Sequence, residues 1–387
     1  MKAIINCKII KEHEILTDSA ILFDKKIVNI LTVNELNELL DSNNIYIEEI
    51  IDAKDKYVSP GFIDTHIHGS GGKDSMDGTI EDIKVISEAI VKYGVTSFIP
   101  TTMTMSKEKI YNSLEAIKMS MDENFGAKVL GAHMEGPFIN EKYKGAQKAD
   151  YIVRPSYDFI DKYKDIIKII TMAPEKDINF EFIKKVKKNT NIEISIGHSD
   201  ATYEEAMDAI KNGTSRVTHM FNAMTPLHHR KPGVVGAVFN SNIYCELIAD
   251  KIHVHPELFN TVLSIKGKDK VILITDSMRA GCMKDGIWEL GGQKVIVQNG
   301  VARLEDGTLA GSILTLNKAL SNIIDKTKLE INEAVNLISL NPAKSLGIDH
   351  KKGSIEIGKD ADMTIFDKDF NIFNTIVEGN IFKFNIN

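Results

Sequence analysis

VSPGFIDTHIH, residues 58–68, is an apolar, strand-like run that ends in two histidines two positions apart. In an extended strand, residues i and i+2 point the same way, so His66 and His68 present their imidazoles on one face. Such a pair alone is weak evidence, because histidines also serve in cores and on surfaces. Its meaning comes from repetition downstream. Glu135 ends KVLGAHME, His198 ends IEISIGH, His219 ends SRVTH and Asp276 ends VILITD. Each of these stands where an apolar run meets a polar loop. A parallel barrel gathers such strand ends at one mouth, where barrel enzymes keep their active sites. Imidazole and carboxylate are ligand types for divalent metals. Carboxylates that close apolar runs also need a partner or a metal.

Working outward, eight candidate strands cover 58–66, 94–101, 127–135, 167–173, 191–198, 215–221, 243–250 and 270–276. Helical patterns lie between most of them: TIEDIKVISEAIVKYG, SKEKIYNSLEAIKMSM, INFEFIKKVKKN, TYEEAMDAIKNG and HPELFNTVLSIKG. Gly94 and Gly213 are placed as helix C-caps. Strands alternating with helices imply a parallel sheet, and eight such units imply a closed barrel. After the eighth strand come a β-like insertion, WELGGQKVIVQNGVARL, and helices near 313–325 and 331–340. The chain ends have a different texture. AIINCKII, HEILTDSAILFD and KIVNI read as short strands followed by the helix VNELNELL, and GSIEIGKDADMTIFD and NTIVEGNIFKF resume the β pattern. The predicted fold is α/β: a (β/α)8 TIM barrel over 58–352, with a small β-sandwich formed by both termini, 1–57 and 353–387.

Composition narrows the function classes. The chain has 387 residues, 43% hydrophobic and 26% charged, as in an ordinary globular enzyme. A formal net charge of −7 argues against nucleic acid and against acidic membranes as partners. Cys7, Cys245 and Cys282 are too few and too scattered for a disulfide framework or a zinc knuckle. The N-terminus lacks a signal-peptide pattern, and no run approaches the ~20 apolar residues of a membrane span. The expectation is a cytoplasmic protein. HGSGGKDSMDG lacks the P-loop spacing and reads as an active-site loop, and IGHSDA is not a serine-hydrolase elbow. Around the cluster, Asp64 is a candidate to orient an imidazole. His133 reads as a supporting or packing residue, and of the adjacent loop residues His228 and His229 at least one is expected to be exposed.

These residues resemble the amidohydrolase superfamily, which carries HxH after PGFID, histidines on strands five and six, and an aspartate on strand eight. Many members bridge two metals with a carboxylated lysine on strand four. Here strand four reads IIKIITMAPE, and the available bridge is Glu135 on strand three. That departure narrows the resemblance to the N-acetylglucosamine-6-phosphate deacetylase family. HMEGPF, KGAQ, MAPE, IGHSDAT, THMFNAM, GVVGAV, IADKIHVHP, ITDSMRA and DGTLAGSILTL follow that family in order and cover nearly the whole chain.

The resemblance implies a metal-dependent hydrolase of N-acetyl-D-glucosamine 6-phosphate, giving D-glucosamine 6-phosphate and acetate in amino-sugar catabolism and cell-wall sugar recycling. It implies that Glu135, His198 and His219 hold a primary metal. His66, His68, Glu135 and Asp276 would hold a second, with zinc or iron(II) the leading candidates and manganese or cobalt as alternatives. Asp276 would act as general base and acid, and His253 would contact the acetamide carbonyl. Asn222, Ala223, Arg230, Ala146 and Leu309 would bind the sugar phosphate. Arg230 would reach the neighbouring subunit's site, which implies a homodimer. Gln147 stands where some members have histidine, and its role stays open. The rival classes are another amidohydrolase, separable by substrate profile; a two-carboxylate glycosidase, whose activity would resist chelators; and a scaffold that has lost its ligands, which this chain has not.

Overall fold

The computed structural model describes residues 1–42 and 45–384. Eight parallel strands form the barrel: Phe62–Ile67, Val95–Thr102, Ala132–Glu135 (preceded by the short Lys128–Val129), Ile167–Met172, Glu193–Ile196, Arg216–Val217, Tyr244–Ile248 and Val271–Ile274. Every residue of the first, second and eighth of these is buried, as expected of strands covered on both faces. The seam between strands eight and one closes at the mouth. There the Asp276 N–H donates to the His66 carbonyl at 2.9 Å, and the His68 N–H donates to the Ser277 carbonyl at 2.8 Å. Three of the predicted ligand residues, His66, His68 and Asp276, therefore form part of the closure itself.

Both chain ends build one eight-stranded mixed sheet, from Lys2–Ile10, Ile15–Phe23, Ile27–Thr32, Glu49–Asp52, Tyr57–Pro60, Met363–Phe366, Ile372–Val377 and Asn380–Lys383. Tyr57–Pro60 pairs with Met363–Phe366, so the returning C-terminus lies beside the segment that enters the barrel. Residues 58–60 belong to this sheet, and the first barrel strand starts at Phe62. Phe366 meets both Tyr57 and Phe62, at ring separations of 5.7 and 6.2 Å.

The helices follow their sequence signals. Thr202 and Glu205 form a capping box ahead of Tyr203–Asn212, and Gly213 closes that helix. Gly94 ends the helical turn before the second strand in a left-handed conformation. The insertion is a three-stranded antiparallel sheet, Gly286–Leu290, Gln293–Gln298 and Val301–Leu304. Two segments differ from expectation. The helix placed at 331–340 is two helices, Ile331–Asn336 and Leu340–Ser345. Pro342 explains the break, because its ring would clash with the Ile338 carbonyl in a continuous helix but is tolerated in a first turn. Gly233–Phe239 is a helix that the sequence pattern did not reveal. Six of its seven residues are buried, so it shows no polar face to give a 3.6-residue period. Among the described residues no helix is long and apolar enough to cross a membrane.

Gly94 joins the two sheets. Its φ is +87°, and a Cβ there would lie 2.6 Å from the Phe62 ring and 2.8 Å from the Thr364 methyl. Gly94→Ala should destabilise the protein by about 2 kcal/mol or more, through backbone strain and overpacking together. An unchanged thermal midpoint would contradict this account of the junction.

Candidate active site

The barrel mouth aims its ligand-type side chains by an unusual backbone. His198, His219 and Asp276 each stand two residues past the end of their strands, at 196, 217 and 274. All three have positive φ, at 50°, 30° and 48°. Non-glycine residues rarely adopt this region, and it recurs where function requires a particular aim. Each ladder stops there, and the side chain turns into the mouth. Glu135 ends its strand at the centre of the group, with its side chain 3% exposed.

The hydrogen bonds fix how the imidazoles present themselves. His68, His198 and His219 direct Nδ1 to the carbonyls of Thr101, Tyr143 and Asn222, at 3.2, 2.9 and 3.1 Å. His66 directs Nδ1 to the Glu246 carboxylate at 3.1 Å. These oxygens only accept, so each Nδ1 carries a proton, and each ring in its neutral form turns an Nε2 lone pair inward. Those lone pairs converge on carboxylates. From Glu135 Oε1, the Nε2 atoms of His198, His219 and His66 lie at 3.2, 3.2 and 3.4 Å. From Asp276 Oδ1, those of His66 and His68 lie at 3.4 and 3.3 Å. The Nε2 atoms of His198 and His219 are 3.2 Å apart. The buried His66 Nε2 has no hydrogen-bond partner.

This arrangement calls for positive charge. Burial opposes protonation of His68, yet Asp276 and Glu135 outweigh it and push the imidazole up to about 10. Burial equally opposes ionisation of the carboxylates. His66 and His68 nonetheless hold Asp276 at about 2, and His198 and His66 hold Glu135 well below the usual carboxylate range. Divalent cations answer the same demand and satisfy the facing lone pairs at once. Ligand atoms about 2.0–2.1 Å from a tetrahedral zinc stand about 3.3 Å apart, which is the spacing found here. Two triads fit: Glu135, His198 and His219; and His66, His68 and Asp276. A third geometric grouping, His66, His133 and Glu246, is already satisfied. His133 uses Nδ1 on the Thr65 carbonyl at 3.1 Å and Nε2 on the Thr171 hydroxyl at 2.7 Å. Burial, followed by His66, lowers its pKa to about 3, so it is neutral.

The supporting layer differs from the sequence expectation. Asp64 does not orient an imidazole. It accepts from the Thr275 hydroxyl at 2.6 Å and from the His66 backbone N–H at 3.3 Å. The imidazole partner is Glu246, which is paired with Arg216 at 2.7 Å, both fully buried. The available signal for Glu246 was a lone carboxylate inside the apolar strand YCELI. Gln147 also finds a place: its Nε2 donates to Glu135 Oε2 at 2.8 Å, and its Oε1 accepts the Thr104 N–H at 2.7 Å.

Above the cluster lies a cavity of about 360 Å³. Of the predicted residues, His68, Glu135, His198, His219, Asp276, His253, Asn222, Ala223, Ala146 and Leu309 line it. His66 lies beneath it, fully buried. Lys142, Tyr143 and Thr308 also line it and were not anticipated. The glycine-rich run after His68 forms a two-stranded ribbon outside the lining, which corrects its reading as an active-site loop. Gly311 lets the TLAGS run pass Asp276: its φ is +62°, and a Cβ there would come within 3.1 Å of the Asp276 carbonyl oxygen. His253 directs Nδ1 to Asp250 at 2.6 Å. Burial opposes its protonation, but Asp250 outweighs burial and raises its pKa. Arg230 is exposed, with its guanidinium 2.6 Å from His229 Nε2, and does not line this cavity. It lines an adjoining groove that shares Lys142 and Tyr143 with the cavity. His228 and His229 are both exposed.

Residues 57–382 match the model of the amidohydrolase family. An N-acetylglucosamine-6-phosphate deacetylase of Bacillus subtilis is 42% identical over 345 residues, covering 87% of each chain. The chain belongs to the N-acetylglucosamine-6-phosphate deacetylase family of amidohydrolases. The crystal structure of the family's Pasteurella multocida member superposes with a TM-score of 0.92 at 31% identity, over 99% of both chains. An N-acetylgalactosamine-6-phosphate deacetylase of Escherichia coli O157:H7 is 34% identical over 84% of this chain and 87% of its own.

Because Glu135 faces both triads, Glu135→Ala should strip the protein of tightly held divalent ions, whereas His66→Ala should retain one. Elemental analysis after dialysis checks this. Wild-type metal content in Glu135→Ala would show that Glu135 is not the shared ligand.

Proposed function

We propose that this chain hydrolyses the acetamide of N-acetyl-D-glucosamine 6-phosphate to acetate and D-glucosamine 6-phosphate. The observation that carries the reading is the inward convergence of four imidazole Nε2 atoms on Glu135 and Asp276, beneath a cavity that His253 also lines. The substrate assignment draws on the family relatives. Glu135, His198 and His219 would hold one cation, and His66, His68 and Asp276 a second with Glu135 shared. Zinc or iron(II) suits this nitrogen and oxygen donor set, and manganese or cobalt is the alternative. A bound divalent cation supplies Lewis acidity, which polarises the acetamide carbonyl and makes water a usable nucleophile near neutral pH.

The chain's residues supply the rest. Asp276 is ionised at neutral pH and takes a proton from the attacking water. His253, held by Asp250, donates from Nε2 to the carbonyl oxygen as negative charge develops there, an interaction worth roughly 3 kcal/mol for a well-placed donor. Asp276 then delivers its proton to the nitrogen as the C–N bond breaks, so the amine leaves neutral. Asn222, Ala223, Ala146 and Leu309 line the cavity around the sugar. Arg230, exposed beyond the cavity of its own chain, would bind the phosphate in the site of a second copy through its planar donor fork. We accordingly propose a homodimer, placed in amino-sugar catabolism in the cytoplasm.

The experiment on the substrate compares turnover of N-acetylglucosamine 6-phosphate, its galactosamine epimer and unphosphorylated N-acetylglucosamine, in wild type and Arg230→Ala. The glucosamine phosphate should be preferred, and Arg230→Ala should raise KM at least tenfold for phosphorylated sugars only. An equal effect on the unphosphorylated sugar would refute the phosphate role. Asp276→Asn should lower kcat at least 100-fold, and activity within tenfold of wild type would exclude it as the base. His253 acts protonated, so kcat should fall as pH rises through its raised pKa. Asp250→Asn removes the charge that raises it and should move that alkaline limb to lower pH, whereas an unmoved limb would assign it to another group.

A further inference from the structure

The layer beneath the histidines contains a feature that stability alone does not call for. Arg216 and Glu246 are both fully buried and paired at 2.7 Å. Two charges withdrawn from water in a barrel core are commonly matched or bettered in stability by apolar side chains of similar volume. The contacts of the pair indicate what it does instead. Arg216 Nη2 reaches Glu246 Oε1 at 2.7 Å and the Thr65 hydroxyl at 3.0 Å, while Nη1 reaches the Ser345 hydroxyl at 3.0 Å. These anchors tie the guanidinium to the first barrel strand, beside His66, and to the helix Leu340–Ser345. The other carboxylate oxygen, Oε2, faces His66 Nδ1 at 3.1 Å and the His219 backbone N–H at 3.2 Å.

His66 is the exception among the four inward imidazoles. The other three direct Nδ1 to backbone carbonyls, which the fold supplies wherever the strands run. His66 alone uses a side-chain carboxylate, and that carboxylate is itself held by a clamped arginine. Its Nε2 is also the buried ring nitrogen left without a hydrogen-bond partner.

We propose that Arg216 and Glu246 are positioning residues that lock His66 in its Nδ1–H tautomer with Nε2 turned into the cluster, and so set the occupancy of the cation site built on His66, His68 and Asp276. The inference rests on the proposed reading of His66 as a metal ligand. Outer partners of metal-bound histidines typically contribute roughly 10–100-fold in metal affinity. The pair holds the His66 ring directly but touches His219 only at its backbone N–H, and the His219 ring keeps the Asn222 carbonyl on Nδ1, so the effect falls chiefly on the His66 half of the centre.

The test uses cobalt(II)-loaded protein from which a chelator withdraws ions stepwise, with visible absorption and elemental analysis reporting each site and thermal unfolding reporting the fold. Arg216→Met/Glu246→Leu removes both charges together, leaving no unpaired ion. It should fold and hold the first cobalt as wild type does, but lose the second at roughly 10–100-fold lower chelator. Arg216→Met/Glu246→Gln keeps an amide oxygen to accept from His66 and should recover most of that loss. A second cobalt held as tightly as in wild type would overturn the proposal. Equal weakening of both cobalts, or no recovery with Gln, would also overturn it, because either marks a general packing role. If the Leu variant does not fold, Arg216→Met/Glu246→Met, which also removes the acceptor for His66 Nδ1, carries the same expectation of selective weakening, and an unchanged second site there overturns the proposal. His66→Ala separates the two levels. If it binds as many ions as wild type, the reading of His66 as a ligand fails, whatever the pair does.

Discussion

Four imidazole lone pairs and two carboxylates occupy one buried volume, and positive charge at their centre is what lets them coexist. Facing Nε2 atoms 3.2 Å apart repel each other unless something cationic lies between them. The ionised carboxylates add to that demand, and the spacing of the donors matches what a small divalent ion requires. Much of the surrounding structure serves to maintain this convergence. The strand-eight to strand-one seam closes through His66, His68 and Asp276. Three ligand-type residues accept a left-handed backbone to aim inward, at a cost of order 1–3 kcal/mol each, which the barrel core must offset.

Around that centre, the chain divides its work by depth. The lowest layer, with Arg216, Glu246, His133 and Thr171, is polar and bonded across strands, through side chains and through the Thr65 carbonyl and the His219 N–H. Above it, backbone carbonyls and Glu246 hold the imidazoles. Above those, the cavity is lined by loops, from Lys142–Gln147, from Asn222 and Ala223, and from Thr308–Gly311. The inserted three-stranded sheet leans on this rim, where the Gln293 amide donates to the Ala146 carbonyl. Loops on a rigid strand scaffold can change what is bound without disturbing the centre below. Relatives named for glucosamine and galactosamine phosphates are consistent with that separation.

The barrel and its mouth were legible because both depend on short-range pattern. Apolar runs ending in His or Asp, alternating with capped amphipathic helices, specify strand order and strand ends, and all eight strands lie where the pattern placed them. What the pattern missed depends on contacts between distant segments. Glu246 looked like an isolated carboxylate until Arg216 and His66 were seen on either side of it. Asp64, adjacent to the HxH pair in sequence, turned out to support backbone instead. Gly233–Phe239 is buried all round and so lacks the period that marks a helix. Residues 58–60 read as barrel strand because apolar content alone does not reveal which of two sheets a strand will join.

The central claim is that divalent cations at this cluster make acetamide hydrolysis possible. Acetate release from N-acetylglucosamine 6-phosphate, followed before chelation, after chelation and after metal is added back, tests it most directly. The account expects release to cease on chelation and to return with zinc, iron(II), manganese or cobalt. Release that persists with the protein stripped of metal would contradict it.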